Sequence, residues 1–228
     1  MNCRVALVLI SIGMALYPAE ADAQSAAPTD QGRFELSLGA LWTGGESYGS
    51  QDASLTTSTG GSIRLFSTSS ELNSAAGLEL RFGGRVAAHI DAEVAASYAT
   101  PELRTTISGD LEAAGSTVAV EPVQQFIIEG AAIIKLTRWR PRPSVLPFVS
   151  VGAGYLRQLH DAKTLVETGQ TYHVGGGAKL GMMSRMDGRV KEIGLRMEAR
   201  ACIRSGGVAL DDRAHATAAI TAALFARF

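Results

Sequence analysis

The stretch from Ala214 to Phe228 alternates without a break. Counting back in twos from Phe228 gives Ala226, Leu224, Ala222, Ile220, Ala218 and Ala216. The intervening positions are Arg227, Phe225, Ala223, Thr221, Ala219, Thr217 and His215. A repeat of two residues belongs to an extended strand, because successive side chains leave opposite faces of the backbone. One face here is wholly apolar and the other is small or polar. A chain that ends this way must fold so that this strand divides a greasy environment from a polar one.

Seven further segments carry the same alternation. Strand one is Arg33 to Thr43, with Phe34, Leu36, Leu38, Ala40 and Trp42 on one face. Strand two, about Ser74 to Phe82, presents Leu78, Leu80 and Phe82. Strand three, Val86 to Tyr98, presents Ala88, Ile90, Ala92, Val94, Ala96 and Tyr98. Strand four, about Val120 to Thr137, presents Phe126, Ile128, Ala132, Ile134 and Leu136. Strand five, Leu146 to Arg157, presents Val149, Val151, Ala153 and Tyr155. Strand six is Thr171 to Met183, with Tyr172, Val174, Ala178, Leu180 and Met182. Strand seven is Lys191 to Arg204, with Ile193, Leu195, Met197, Ala199, Ala201 and Ile203. Nothing in the chain shows a sustained helical stripe, and the abundance of small residues suits crowded strand faces.

The connections alternate in length. Those after strands one, three, five and seven are long and polar, covering about 44–73, 99–119, 158–170 and 205–213. Those after strands two, four and six are short: Gly83-Gly84-Arg85, Arg138 to Val145, and Ser184 to Val190. Transmembrane barrels show this asymmetry, with short turns inside and longer loops outside, and an even strand number leaves both termini on the short-turn side. The first long connection holds a second possibility. Ser54 to Ser70 has the makings of a hairpin around Gly60-Gly61, either protruding or adding two strands to make ten.

Two checks are independent of the alternation itself. Most aromatics sit on the apolar faces near strand ends: Trp42, Tyr98, Phe126, Tyr155 and Tyr172 toward the loops, and Phe34, Phe82 and Phe228 toward the turns. Two aromatic levels around a band of Ala, Val, Ile and Leu form the girdle of a membrane barrel, whereas a soluble sandwich buries such rings mid-strand. The opposite faces hold charge of both signs: His89, Asp91, Glu93, Glu129, Lys135, Arg196, Glu198 and Arg200, with Glu79, Arg81, Gln125, Glu192 and Arg204 in the same phase. If the apolar face meets lipid, these point into the lumen. An eight-stranded lumen is just wide enough for side chains to fill, so an ion-paired plug is expected.

The first residues read as a secretory signal peptide, with Arg4 as the positive region, Val5 to Leu16 as the apolar stretch and Ala21-Asp22-Ala23 as the cleavage site. The division is then a signal peptide at 1–23, a short segment at 24–31 and a barrel over 32–228. The formal charge of −1 gives no footprint for nucleic acid. Cys202 is the single thiol after cleavage, so an internal disulfide is excluded.

Chemistry is sparse. His89, Asp91 and Glu93 share a face of strand three, a set capable of acid–base work, but packing against the arginines of strand seven is the simpler account. No His/Cys spacing fits zinc and no glycine loop has a Walker or Rossmann context, so neither metal nor cofactor is expected. Arg138-Trp139-Arg140-Pro141-Arg142 reads as a turn whose arginines lie near anionic headgroups. Asp110, Glu112 and Glu121 make the second long connection acidic.

The mature chain resembles the outer-membrane protein β-barrel domain, the small OmpA/OmpW-type transmembrane barrel. The resemblance rests on Ala23 at the cleavage site, on Pro147-Phe-Val-Ser-Val-Gly-Ala-Gly-Tyr155, on His173-Val-Gly-Gly-Gly-Ala-Lys-Leu-Gly181, and on the terminal Phe228. It implies an all-β, eight-stranded antiparallel up-and-down barrel, with a ten-stranded ring as the alternative. It also implies export to the bacterial outer membrane with periplasmic termini, and reading of the C-terminal strand by the barrel-assembly machinery. The partners implied are outer-membrane lipids and lipopolysaccharide, and a monomer is expected. Three roles follow from it: a non-enzymatic barrel acting in envelope structure or surface interaction, a narrow pore or hydrophobic-compound channel, and a lipid A-modifying enzyme. The His-x-Ser pair of a lipid A deacylase is absent, since His89, His160, His173 and His215 are followed at that spacing by Asp91, Ala162, Gly175 and Thr217.

Overall fold

The computed structural model describes residues 32–58, 60–109, 115–160, 165–184, 189–208 and 213–228. The expected signal peptide, the segment 24–31, Asp110 and Glu112 lie outside the described residues. The elements are eleven strands: β1 (Phe34–Thr43), β2 (Glu46–Thr56), β3 (Ser62–Leu72), β4 (Ala75–Ala87), β5 (Ile90–Ala99), β6 (Glu102–Ser108), β7 (Thr117–Lys135), β8 (Val145–His160), β9 (Val166–Ser184), β10 (Glu192–Gly206) and β11 (His215–Arg227). A single 3₁₀ turn, Thr137–Trp139, follows β7.

Eight of these strands close a ring in the order β7, β5, β4, β1, β11, β10, β9, β8 and back to β7, every pair antiparallel. Alternation fixes which way each strand faces. Leu36 and Ile90 are 42% and 41% exposed, while Glu93 and Arg196 are 5% and 0% exposed. The apolar phase is therefore outside and the charged phase inside. Leu80, Leu38, Leu224, Leu195 and Leu180 fall opposite one another across β4, β1, β11, β10 and β9, making a leucine row around more than half the ring. A continuous apolar band of this extent has no stable place in water. In hydrocarbon it is the required surface, and closure leaves no bare backbone edge in the ring.

The remaining strands build a second sheet outside the ring. Its order is β2, β3, β6 and the first half of β7. The chain is interrupted at 44–45, 73–74 and 100–101, between β1 and β2, β3 and β4, and β5 and β6. The ring wall formed by β1, β4, β5 and β7 thus continues outward as four strands. The hairpin anticipated around Gly60-Gly61 is β2–β3, joined by Thr57 N–H···O Gly61 at 2.7 Å. It protrudes, so the ring has eight strands and the ten-stranded alternative is overturned. The stretch 99–119 is not simply a loop, because β6 pairs along Leu103–Ile107 with Glu121–Thr117 of β7.

Gly83-Gly84-Arg85 is also not the turn. β4 runs through it to Ala87, the turn falls at 88–89, and β5 starts at Ile90, not Val86. The physical reason is crowding. Gly83 faces inward beside Glu93, and a Cβ there would stand 2.6 Å from Glu93 Cγ. The glycine makes room for a lumenal carboxylate and does not bend the chain.

Candidate functional site: a filled lumen

Inward-facing residues of seven ring strands meet in one charge network. Arg196 of β10 donates from Nη1 to both Glu93 oxygens at 2.8 Å each, and from Nη2 to Glu198 Oε2 at 2.9 Å. Arg81 of β4 lies 2.7 Å from Glu79, 3.2 Å from Glu198 and 3.5 Å from Glu93. Lys179 of β9 bridges Glu35 at 2.6 Å and Glu93 at 3.4 Å. Arg227 of β11 donates to Glu35 at 2.8 Å and to Glu192 at 2.5 Å. Arg200 spans Glu79, at 2.5 Å, and Glu129, which also faces His173 Nδ1 at 3.3 Å. Ser150 Oγ donates to Glu198 Oε1 at 2.6 Å.

Five buried carboxylates (Glu35, Glu79, Glu93, Glu129 and Glu198) thus meet five cations (Arg81, Lys179, Arg196, Arg200 and Arg227), with the part-exposed Glu192 at the edge on Arg227. The balance lets each charge survive away from water. Two aromatics support it from within. Phe148 is 2% exposed, with the Arg196 guanidinium carbon 4.8 Å and Lys179 Nζ 5.8 Å from its ring centre. Phe225 lies under Arg227 at 5.5 Å. These rings gain cation–π attraction in a desolvated setting.

Above the network come a glutamine pair, one further ion pair and then an apolar cluster. Gln158 Nε2 donates to Gln125 Oε1 at 3.0 Å, and Val208 N–H donates to Gln158 Oε1 at 3.0 Å. Arg204 pairs with Glu46 at 3.2 Å, and the Tyr48 hydroxyl donates to Glu46 at 3.0 Å. Burial and the adjacent Glu46 carboxylate raise the Tyr48 hydroxyl well above its ordinary value, keeping it a neutral donor. Tyr48, Leu72, Val123 and Val208 then pack together with Leu103 against them. This cluster, drawn from both the second sheet and the ring, lies at the long-connection end of the ring.

The sequence-predicted lumenal residues Asp91, Glu93, Glu129, Lys135, Arg196, Glu198 and Arg200 all face inward. Asp91 and Lys135 pair with each other at 2.6 Å near the short turns, below the central cluster. His89 is a correction: it lies in the β4–β5 turn, exposed, because β5 begins one residue later, and its carbonyl accepts the Lys135 N–H at 2.8 Å. The girdle residues Phe34, Trp42, Phe82, Tyr98, Phe126, Tyr155, Tyr172 and Phe228 are all outside, between 39% (Tyr98) and 54% (Phe82) exposed. Phe34 stacks on Phe82 at 5.9 Å, and Tyr98 meets Phe126 at 4.8 Å. Sequence reasoning missed Glu35, Lys179, His173 and the inward Phe148. Glu35 was accessible, since it stands in opposite phase to Phe34 and Leu36. Lys179 was masked by the surrounding glycines, which carry no facing information.

No family model matches the chain, and no curated protein matches it in sequence. Among solved structures, Neisserial surface protein A is similar at 13% identity and a TM-score of 0.55, over 86% of this chain and 97% of that one. Ail, the attachment invasion locus protein of Yersinia pestis, gives 10% identity and 0.38, covering 87% and 99%. The outer membrane protease OmpT from Escherichia coli gives 9% and 0.31, covering 90% and 99%. The first likeness shows the fold and nothing finer: an eight-stranded outer-membrane β-barrel.

Proposed function

We propose that this outer-membrane barrel is a non-enzymatic surface protein, with a lumen closed by ion pairs and a function carried by its external four-stranded sheet. One observation carries the reading: above a vestibule at its short-turn end, the lumen is blocked by packed side chains. Asp91–Lys135, the ten-membered charge network, Gln125–Gln158 and the apolar cap succeed one another along the axis. A conducting path would have to separate buried opposite charges, and each carboxylate of the network is already neutralised by a cation instead of held ready as a base. The polar external sheet, with exposed ion pairs Glu71–Arg104 at 3.7 Å and Asp52–Arg64 at 3.6 Å, is then the part offered to the surroundings.

On this reading the protein is exported, sits in the outer membrane with the short turns in the periplasm, and contacts membrane lipids and lipopolysaccharide. Its terminal strand is read by the assembly machinery. Kinship with the small OmpA/OmpW-type barrels is part of the same proposal, without the channel activity. The test is conductance of the purified, refolded protein in a planar bilayer. A flat baseline is expected at moderate voltage. A steady single-channel current would overturn the closed lumen and favour the channel role.

A further inference from the structure

A cavity of about 290 Å³ opens at the short-turn end of the ring, below the charge network. Its walls hold five cations, Arg33, Arg85, Lys135, Arg140 and Arg227, and three acids, Glu35, Asp91 and Glu93. The acids are already committed. Glu35 is held by Lys179 and Arg227, Glu93 by Arg196, and Asp91 by Lys135. Among the described residues no carboxylate lies within ion-pair distance of Arg33, Arg85 or Arg140. Arg33 leans on the Phe34 ring, its guanidinium carbon 6.0 Å from the ring centre. Arg85 Nε is buried and without a hydrogen-bond partner.

A buried charged donor facing a cavity without an acceptor is costly, and an anion is one of the few things that removes the cost. One half-buried guanidinium with an unpartnered Nε, flanked by two exposed ones without acid partners, suits a multivalent anion with several acceptor oxygens. The planar fork of arginine matches phosphate oxygens two at a time. The volume admits such a group together with water.

We propose that this vestibule binds a phosphate group, with Arg85 as the inner donor, Arg140 closing from the β7–β8 turn and Arg33 at the rim. The same chemistry has two sources at this depth: free phosphate on the short-turn side, or the headgroup of a phospholipid in the adjoining leaflet. The inference concerns only the mouth of the ring and stands whether or not the lumen conducts.

The experiment uses the folded barrel in octyl glucoside micelles, which carry no phosphate. Guanidinium Nε–H resonances are followed by NMR while inorganic phosphate replaces chloride at constant ionic strength. A second arm adds a short-chain phosphatidylglycerol instead. Saturable movement of the Arg85 Nε–H resonance is expected in at least one arm, and the arm that saturates at lower concentration names the source. In R85Q/R140Q the remaining rim guanidinium, Arg33, should show no saturable movement. R140Q alone changes an exposed turn residue without an acid partner, and should weaken binding about tenfold while the barrel stays folded. Linear drift in both arms, or equal binding by R140Q and the native chain, would overturn the proposal.

Discussion

Removing Arg196 is the sharpest probe of the lumen. The side chain is 0% exposed, chelates Glu93 through two 2.8 Å contacts and holds Glu198 at 2.9 Å. R196M keeps most of the volume and deletes the charge. Glu93 then retains only Lys179 at 3.4 Å and Arg81 at 3.5 Å, and Lys179 is shared with Glu35. The network becomes one negative charge in excess, away from water. Leaving one buried partner unpaired costs about 3–5 kcal/mol, which multiplies the unfolding constant by roughly 10² to 4 × 10³. E93Q/R196M restores the balance, because Glu35, Glu79 and Glu198 keep Lys179, Arg81 and Arg227. Its loss should be smaller than that of R196M alone by about 1–3 kcal/mol. Urea unfolding in phospholipid vesicles, read by tryptophan fluorescence and by the folded and unfolded bands on an unboiled gel, measures R196M, E93Q and the double variant. If R196M loses less than about 1 kcal/mol, the pair behaves as a solvated surface pair. If the double variant loses the sum of the two single losses, the charges are not coupled. Either result would refute the reasoning.

Three other changes test separate parts of the architecture. Leu224 is 62% exposed in the middle of the leucine row, so Leu224→Arg should cost about 2–4 kcal/mol in vesicles, while Ser67→Arg on the external sheet should leave the urea midpoint within error. Gly83→Ala would drive a Cβ to 2.6 Å from Glu93 Cγ, which Arg196 pins in place; a loss of about 1–3 kcal/mol in the same assay is expected, and wild-type stability would show that Glu93 has room to move. Cys202 is 7% exposed and faces inward beside Leu41 and Ala219, so a water-soluble maleimide should label it only after unfolding in urea; prompt labelling of the folded barrel would place it elsewhere.

The ring was legible because alternation over ten or more residues leaves few options. Once Leu36 and Glu35 stand in opposite phases, one must face lipid and the other the lumen. The turn at 88–89 was not legible, since a glycine pair marks either a bend or a crowded face, and only the position of Glu93 decides between them. His89 went astray with that boundary: a strand beginning four residues later takes it off the lumenal wall. The external sheet was half visible. Gly60-Gly61 announced β2–β3, but the pairing of β6 with the first half of β7 depends on segments separated by a polar stretch with no strong alternation. Pairwise contacts inside the lumen, such as Lys179 with Glu35 across 144 positions, cannot be read from phase alone.

The seam between β1 and β11 has a consequence for how the molecule comes into being. The earliest and latest strands of the ring are partners, locked by mutual hydrogen bonds between Phe34 and Phe228 at 3.3 and 2.8 Å. No cylinder exists until both have been made and delivered. Until then the growing sheet has two raw borders, and a row of leucines with nothing to wet it but water. Such a precursor is slow to mature and prone to clumping. Its stability begins only when the two ends meet.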